Sequence, residues 1–456
     1  MGLAEAVGAF VKPGDVVHLA YSDARPNAAI QQLVRTFAGT EPRFTVVSAG
    51  LVNIQHAMIE LGLVDKVIAS FAGENYPVAR PNPALVRAVA SRGVTIEHWS
   101  LWSLVARLTA GALGVSHFPV RSMRGSSMGQ EAADRGELVE LPGSDGATCL
   151  VSALRPDVVL LHGAAADENG NVILAAPYGE GQAGALAART GVIATVERIV
   201  TTAELRRMNT LTRIPAHVVR AVCLAPFGAH PYGFNNPGVP EVASYSEDDD
   251  FMAQVLRASK QPETFRHFID EWVVGVPTHE AYLHKLGDQR LKALLRSEPA
   301  ATALRVPVVA GAKATPLEDQ VVVTARRVRE AVQRSGHQAV LAGVGLANLA
   351  AWIGARSLHD AGVDVELMAE IGLFGYSPRP GEPFIFAGQN VPTNKLLGDV
   401  MSVLGTMCPA RARELSAWSG RARSTGPVRS TPPMATTGGS WSARAVRTTC
   451  SPGPTR

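Results

Sequence analysis

The sequence predicts an α/β protein with two related, open, mostly parallel-sheet domains, the second incomplete, followed by a disordered C-terminal tail. Three observations carry this reading. Short continuous apolar runs alternate with helical patterns through residues 1–230, as in parallel strands covered on both faces. A weaker copy of the opening layout recurs after residue 318. The composition then changes abruptly after Met407.

In the first part, Val16-Val17-His18-Leu19 reads as a strand, followed by a turn at Pro26 and a helix around Ile30–Phe37. Phe44-Thr45-Val46-Val47, Val158-Val159-Leu160-Leu161 and Ala221-Val222-Cys223-Leu224 read as further buried strands. Phe265, Phe268, Ile269, Trp272 and Val273 fall on one face of a helix and read as core. The acidic run Glu247-Asp248-Asp249-Asp250 precedes Phe251–Leu256 and reads as a helix start favoured by the macrodipole. Residues 298–318 lose the periodic pattern to Pro and small side chains and read as a connector. Beyond them, Gln338–Ala342, Gly343-Val344-Gly345 and a helix over Leu346–Ala355 repeat the first strand, turn and helix. Leu367–Gly372 repeats Thr45–Gly50, which sets Glu370 opposite Ser48. The expected boundaries are therefore 1–297, a linker over 298–318, 319–407, and a low-complexity tail over 408–456.

The net charge of +3 is an average of unlike parts. Residues 409–456 hold eight Arg and one acid, net +7, while residues 1–408 hold 35 basic and 39 acidic side chains, net −4. An acidic body argues against a nucleic-acid-binding enzyme, and the arginines of the tail are dispersed among Pro and Gly. The tail holds too little apolar surface to offset its chain entropy. The four cysteines, Cys149, Cys223, Cys408 and Cys450, lie far apart and show no metal-ligand spacing. No apolar run reaches the length of a membrane span, and the first residues lack the pattern of a secretory signal. The expectation is a cytoplasmic protein with no metal, no nucleic-acid partner and no membrane partner.

The most informative chemistry lies where Gly343-Val344-Gly345 and Glu370-Ile371-Gly372-Leu373-Phe374-Gly375 each follow a predicted strand. In open α/β sheets ligands bind outside the carboxyl ends of the strands. Glycines there admit close backbone approach and leave N–H groups pointing outward. A carboxylate among apolar neighbours can attack an acyl carbon without a separate base, and nearby N–H groups can stabilise the oxyanion. Spacing alone equally permits a surface or capping acid. Glu366, two side-chain repeats back on the same strand, is the competing carboxylate.

Several stretches make a resemblance specific: Val11-Lys12-Pro13-Gly14-Asp15, Leu108–Gly114 with Phe118-Pro119, Ala166-Asp167-Glu168-Asn169-Gly170-Asn171-Val172, and Ala225-Pro226-Phe227-Gly228-Ala229-His230-Pro231. In these the chain resembles the family I coenzyme A transferases of the glutaconate type. Residues 1–297 are similar to the first of that family's two component chains, and 319–407 to the opening of the second, fused in one polypeptide.

The resemblance implies CoA transfer between carboxylic acids. Glu370, Gly372 and Gly375 match the family's E-x-G-x-x-G run. That glutamate attacks an acyl-CoA to form a mixed anhydride, then carries CoA as a glutamyl thioester. Gly343 and Gly345 fall at the family's oxyanion loop. No permanently bound cofactor is implied; the CoA thioester is a substrate. The partners are acyl-CoA and a carboxylic acid acceptor, in a homo-oligomer.

Two departures matter. The family's first turn reads Gly-Gly-Phe, where this chain has Ala20-Tyr21-Ser22 before Arg25-Pro26. Relatives on this scaffold hydrolyse or decarboxylate CoA thioesters, and Glu97 is the acid for such an alternative, although its surroundings read as a surface helix start. The family's second component also runs well beyond its glutamate, so a non-catalytic acyl-CoA-binding product is a third reading. Ser22, Arg25, Arg121, Arg124 and His230 complete the possible contacts to substrate or CoA. The arginines could meet phosphate or carboxylate, or be solvated, and His230 otherwise reads as a turn residue.

Overall fold

The computed structural model describes residues 1–21, 24–74, 79–141, 148–296, 313–377, 388–410 and 415–418. Its larger sheet contains a run of seven parallel strands: β1 (Val16–Leu19), β2 (Phe44–Val52), β3 (Val64–Gly73), β4 (Thr95–His98), β5 (Val158–Asp167), β6 (Gly191–Val200) and β7 (Val219–Leu224). The spatial order is β7-β6-β5-β1-β2-β3-β4. Every residue of β5 is buried, as expected for a strand covered on both faces. The chain builds outward from β1 to β4, then returns to the other side of β1. The gap between β1 and β5 is therefore the topological switch point, where open sheets of this kind form a ligand crevice.

Helix α1 (Asn27–Phe37) and helix α2 (Leu101–Leu113) follow β1 and β4. Phe265, Phe268, Ile269 and Val273 join the core built on β1, β2 and α1, with Trp272 packed against it, as the helical spacing predicts. The segment is α-helical over Pro262–Ile269 and widens into a π-helical turn over Asp270–Val274. Asp248 caps the helix predicted after the acidic run, accepting from the Phe251 N–H at 3.0 Å. A separate antiparallel sheet joins His117–Val120, Leu138–Glu140 and Cys149–Ser152.

The second part begins with α3 (Pro316–Ser335), capped by a reciprocal Thr315–Glu318 box with Pro at its first turn. Thus the last three residues of the expected connector are helical. Strand β8 (Ala339–Ala342), helix α4 (Leu346–Asp360) and strand β9 (Glu366–Ala369) then repeat the β1–α1–β2 unit, and β8 pairs parallel with β9. From β9 the chain turns back antiparallel into β10 (Leu373–Phe374), which pairs with β11 (Leu396–Leu397). This half is thus only partly parallel.

Two short stretches of the segment expected as a tail carry regular structure. A helical turn continues over Cys408–Ala410, and Leu415–Trp418 forms β12 parallel to β8. Leu415 and Trp418 supply an apolar stretch within that otherwise small and polar segment. Residues 411–414 and 419–456 lie outside the described residues. Among the described residues, no helix is long and apolar enough to cross a membrane.

The two halves share packing. Tyr21, just past β1, belongs to the same buried cluster as Val340, Ile371, Leu373 and Tyr376. Val105 of α2 packs with Leu341, Met368, Val400 and Leu404.

Candidate active site

Glu370 is the first residue beyond β9, at the tip of the β9–β10 turn. The turn closes through Gly372 N–H to Ala369 O at 3.1 Å and Gly375 N–H to Leu367 O at 2.7 Å. The β8–β9 register ends at Ala342 opposite Ala369, so Gly343 and Glu370 leave the sheet side by side. Gly345 has φ +87° and opens α4, and a Cβ there would meet nothing within 4 Å. The two glycine-rich motifs of the sequence therefore meet at one end of two adjacent parallel strands.

Glu370 is half-buried. Burial pushes its carboxyl up to about 7, opposed only by its own backbone N–H, and no cation contributes. The buried Tyr376, whose hydroxyl accepts from Trp352 Nε1 at 2.9 Å, lies close enough to feel the Glu370 charge. Glu366, the competing carboxylate, is paired with Lys395.

Gly372 and Gly375 shape this turn. The sequence places them among N–H groups that could stabilise an oxyanion, but their N–H groups already close the hairpin. At Gly372, φ is +123° and a Cβ would stand 2.3 Å from the Gly398 carbonyl oxygen. Gly372→Ala should destabilise this half by at least about 2 kcal/mol through strain and overpacking. Chemical denaturation checks this; a variant as stable as the parent would refute the assigned role.

A short loop of the first half holds the hairpin. Tyr178 N–H donates to Gly398 O at 2.8 Å, Gly179 N–H to Ile371 O at 3.3 Å, and Val400 N–H to Gly179 O at 3.1 Å. The same loop bonds Tyr21 at the end of β1: Glu180 N–H and Gly181 N–H donate to Tyr21 O at 3.2 and 3.1 Å. The hairpin carrying Glu370 thus docks at the switch point of the large sheet. Sequence reasoning missed this loop, although Gly179-Glu180-Gly181 is itself an acid between glycines.

The other expected contacts distribute differently. Arg25 is 5% exposed. It lies between the rings of Tyr21 and Tyr232, 4.4 and 4.8 Å from their centroids, and donates to Gly50 O at 2.7 Å. Tyr21 connects it to the core under Glu370. Ser22 lies outside the described residues.

Glu97 is not a surface residue starting a helix. It sits on β4, 3% exposed, with Lys66 Nζ at 2.5 Å, Trp99 Nε1 at 2.7 Å and Arg107 Nη1 at 3.1 Å. Burial alone would raise its carboxyl, but hydrogen bonds from Lys66 and Trp99 and the charges of Lys66 and Arg135 hold it near about 2. An acid so committed is not poised to exchange protons with a substrate.

His230 is likewise structural. Its Nδ1 meets Tyr282 Oη at 2.6 Å, and its Nε2 meets Asp248 Oδ2 at 3.0 Å. Burial lowers its pKa against the opposing effect of Asp248. Arg290 clamps Asp248 through both oxygens, at 2.5 and 2.7 Å. Arg121 and Arg124 are exposed in the turn after His117–Val120. Arg124 pairs with Glu140 at 3.5 Å, and no described contact brings either arginine to Glu370. Among the described residues, no group of three or more His, Cys, Asp or Glu could hold a metal ion.

The fold and the site together define a parallel α/β scaffold with a half-buried carboxyl at its crevice. Residues 1–225 match the family model described as coenzyme A transferase. It is 27% identical over 311 residues to the A component of glutaconate CoA-transferase from Acidaminococcus fermentans, covering 64% of this chain and 92% of that one. The crystal structure of glutaconate coenzyme A-transferase from the same organism superposes with TM-score 0.58 at 27% identity, over 65% of this chain and 95% of that chain. An acyl-CoA transferase from Escherichia coli O157:H7, solved as a thioester complex with CoA, shares the fold with TM-score 0.55 at 13% identity. That match extends over 89% of this chain and 69% of the other.

Proposed function

We propose that the protein transfers CoA between carboxylic acids, with Glu370 as the nucleophile. The observation that carries this reading is a half-buried carboxyl at a strand end, without an ion-pair partner among the described residues, on the strand adjacent to the one that ends in the Gly343–Gly345 turn. The Glu370 carboxylate attacks the thioester carbonyl of an acyl-CoA; the C–S bond breaks, giving an acyl-glutamyl anhydride and CoA thiolate. The thiolate attacks the Glu370 carbonyl, releasing the acyl group as a free carboxylate and leaving a glutamyl-CoA thioester. An incoming carboxylate reverses both steps. No water or net proton is consumed, so the site needs an ionised carboxylate and a dry crevice rather than a base.

Gly343 and Gly345 are the proposed oxyanion loop, because open space stands beside Gly345 and the Gly372 and Gly375 amides are already engaged. One such donor contributes about 3–4 kcal/mol to the transition state. The relatives named for glutaconate CoA-transfer support the substrate class. The match to the A component covers 64% of this chain, so a fused second half supplying Glu370 is part of the proposal.

Incubation of the full chain with acyl-CoAs, followed by peptide mass spectrometry, tests it. A CoA adduct on the peptide containing Glu370, absent from Glu370→Gln, is expected. Turnover without an adduct would instead indicate hydrolysis or decarboxylation, and neither signal would indicate acyl-CoA binding alone. Arg25, held under the crevice by Tyr21, is the proposed substrate contact from the first half.

A further inference from the structure

Resting on the proposed role of Glu370, we propose that Glu180 is its positioning residue. The Glu180 carboxylate sets the 178–181 loop, and that loop fixes the hairpin from which Glu370 projects. Glu180 is 1% exposed. Its Oε1 accepts from Tyr21 N–H at 3.2 Å and Ala49 N–H at 3.3 Å, joining the loop to the ends of both β1 and β2. Its Oε2 has no hydrogen-bond partner among the described residues. The one ionisable side chain described beside it is His18, whose Nε2 lies 3.4 Å from Oε1.

A carboxylate so deeply buried is costly to desolvate, and apolar packing would be cheaper if filling space were its only task. What the carboxylate does here is gather two diverging backbone N–H groups that an apolar side chain would leave unsatisfied. The helix that follows, Gly181–Ala187, closes over the imidazole: a Cβ at Gly184 would stand 2.0 Å from His18 Cε1. The loop is thereby fixed on the first-half side. On the other side its own backbone bonds Ile371, Gly398 and Val400, and Gly398 N–H bonds Gly372 O at 2.8 Å. A continuous set of hydrogen bonds runs from Glu180 to the residue next to Glu370. Glu180 touches none of the reacting atoms, so its effect falls on placement.

The test uses the full chain with Glu180→Ala, Glu180→Asp and Glu180→Gln. Hydrogen exchange is followed at the Gly179 and Val400 amides, together with steady-state transfer. Gln keeps an oxygen that can accept both N–H bonds; Ala removes it, and Asp retracts it by one methylene. For Ala and Asp, exchange at the two amides should quicken while β3 stays protected. Their kcat should fall by about 10–100-fold, in line with sub-ångström misplacement of a reacting group. KM for acyl-CoA should stay within about twofold, and Gln should restore both readouts. Unchanged exchange at Val400 in Ala and Asp overturns the proposal, as does a Gln variant as slow as Ala. If Ala does not fold, Asp and Gln carry the same comparison. The exchange readout is independent of turnover, so failure of this inference is distinct from absence of the Glu370 adduct.

Discussion

Glu370→Gln is expected to lower CoA transfer by at least about 10³-fold, the scale of removing a covalent nucleophile. Glu370→Asp keeps the charge but withdraws it by one methylene, and a displacement of that size costs about 10²-fold. In the proposed reaction Glu370 attacks as the carboxylate, and burial sets its carboxyl near about 7. With that value kcat/KM should rise about tenfold between pH 6 and pH 8 and then level off. The carboxylic acid substrates are ionised throughout this range and contribute no competing limb. A rate independent of pH between 6 and 8 would place the proton elsewhere.

The same shift has a consequence for stability, with opposite sign to an ion-paired acid. A carboxyl raised above its ordinary value of 4.5 is disfavoured when ionised in the folded state. The cost is absent below about pH 4.5, grows as pH rises, and is complete above about 7. Glu370→Gln should therefore be more stable than the parent at pH 8, by about 1–2 kcal/mol for a half-exposed group, and no more stable at pH 4. Denaturation at both pH values checks this. An inactive variant that gains stability only at high pH separates loss of the nucleophile from loss of fold.

Much of the framework was legible because it follows from local periodicity. The apolar runs at Val16, Phe44, Val158 and Ala221 are strands because continuous hydrophobicity suits burial on both faces. The repeat of strand, glycine turn and helix places Glu370 at a strand end, and the structure agrees in register. What was not legible depends on contacts between distant residues. Glu97 looks solvent-facing in sequence because its partners, Lys66, Arg107 and Arg135, lie 10 to 38 positions away. The Gly179-Glu180-Gly181 loop offers no periodicity; its meaning comes from Tyr21 and Ile371, on different halves of the chain. Gly372 and Gly375 were recognised as important, but spacing does not distinguish an amide facing a ligand from one closing a turn.

Glu97→Ala is the substitution with the largest expected cost in stability outside the crevice. It would leave Trp99 Nε1 without its acceptor at 2.7 Å. Arg107, stacked 4.2 Å from the Trp99 ring, would keep Glu137 alone as its acidic partner, at 2.7 Å. Removing one member of a buried ion-pair network costs about 3–5 kcal/mol, because the remaining charge stays desolvated. The pH dependence has a definite sign. The folded carboxyl is held near about 2 against an ordinary value of 4.5, so its contribution is complete above about pH 4.5 and is lost as pH falls toward 2. Glu97→Gln, which keeps the shape, should accordingly cost about 3 kcal/mol at pH 7 and roughly half that at pH 3. Denaturation of parent and variant at the two pH values measures the difference. At a temperature where the variant remains folded, its transfer rate should stay within about threefold of the parent, as for a group remote from the reacting atoms. A stable protein with lost turnover would instead return Glu97 to the chemistry and favour hydrolysis or decarboxylation over transfer.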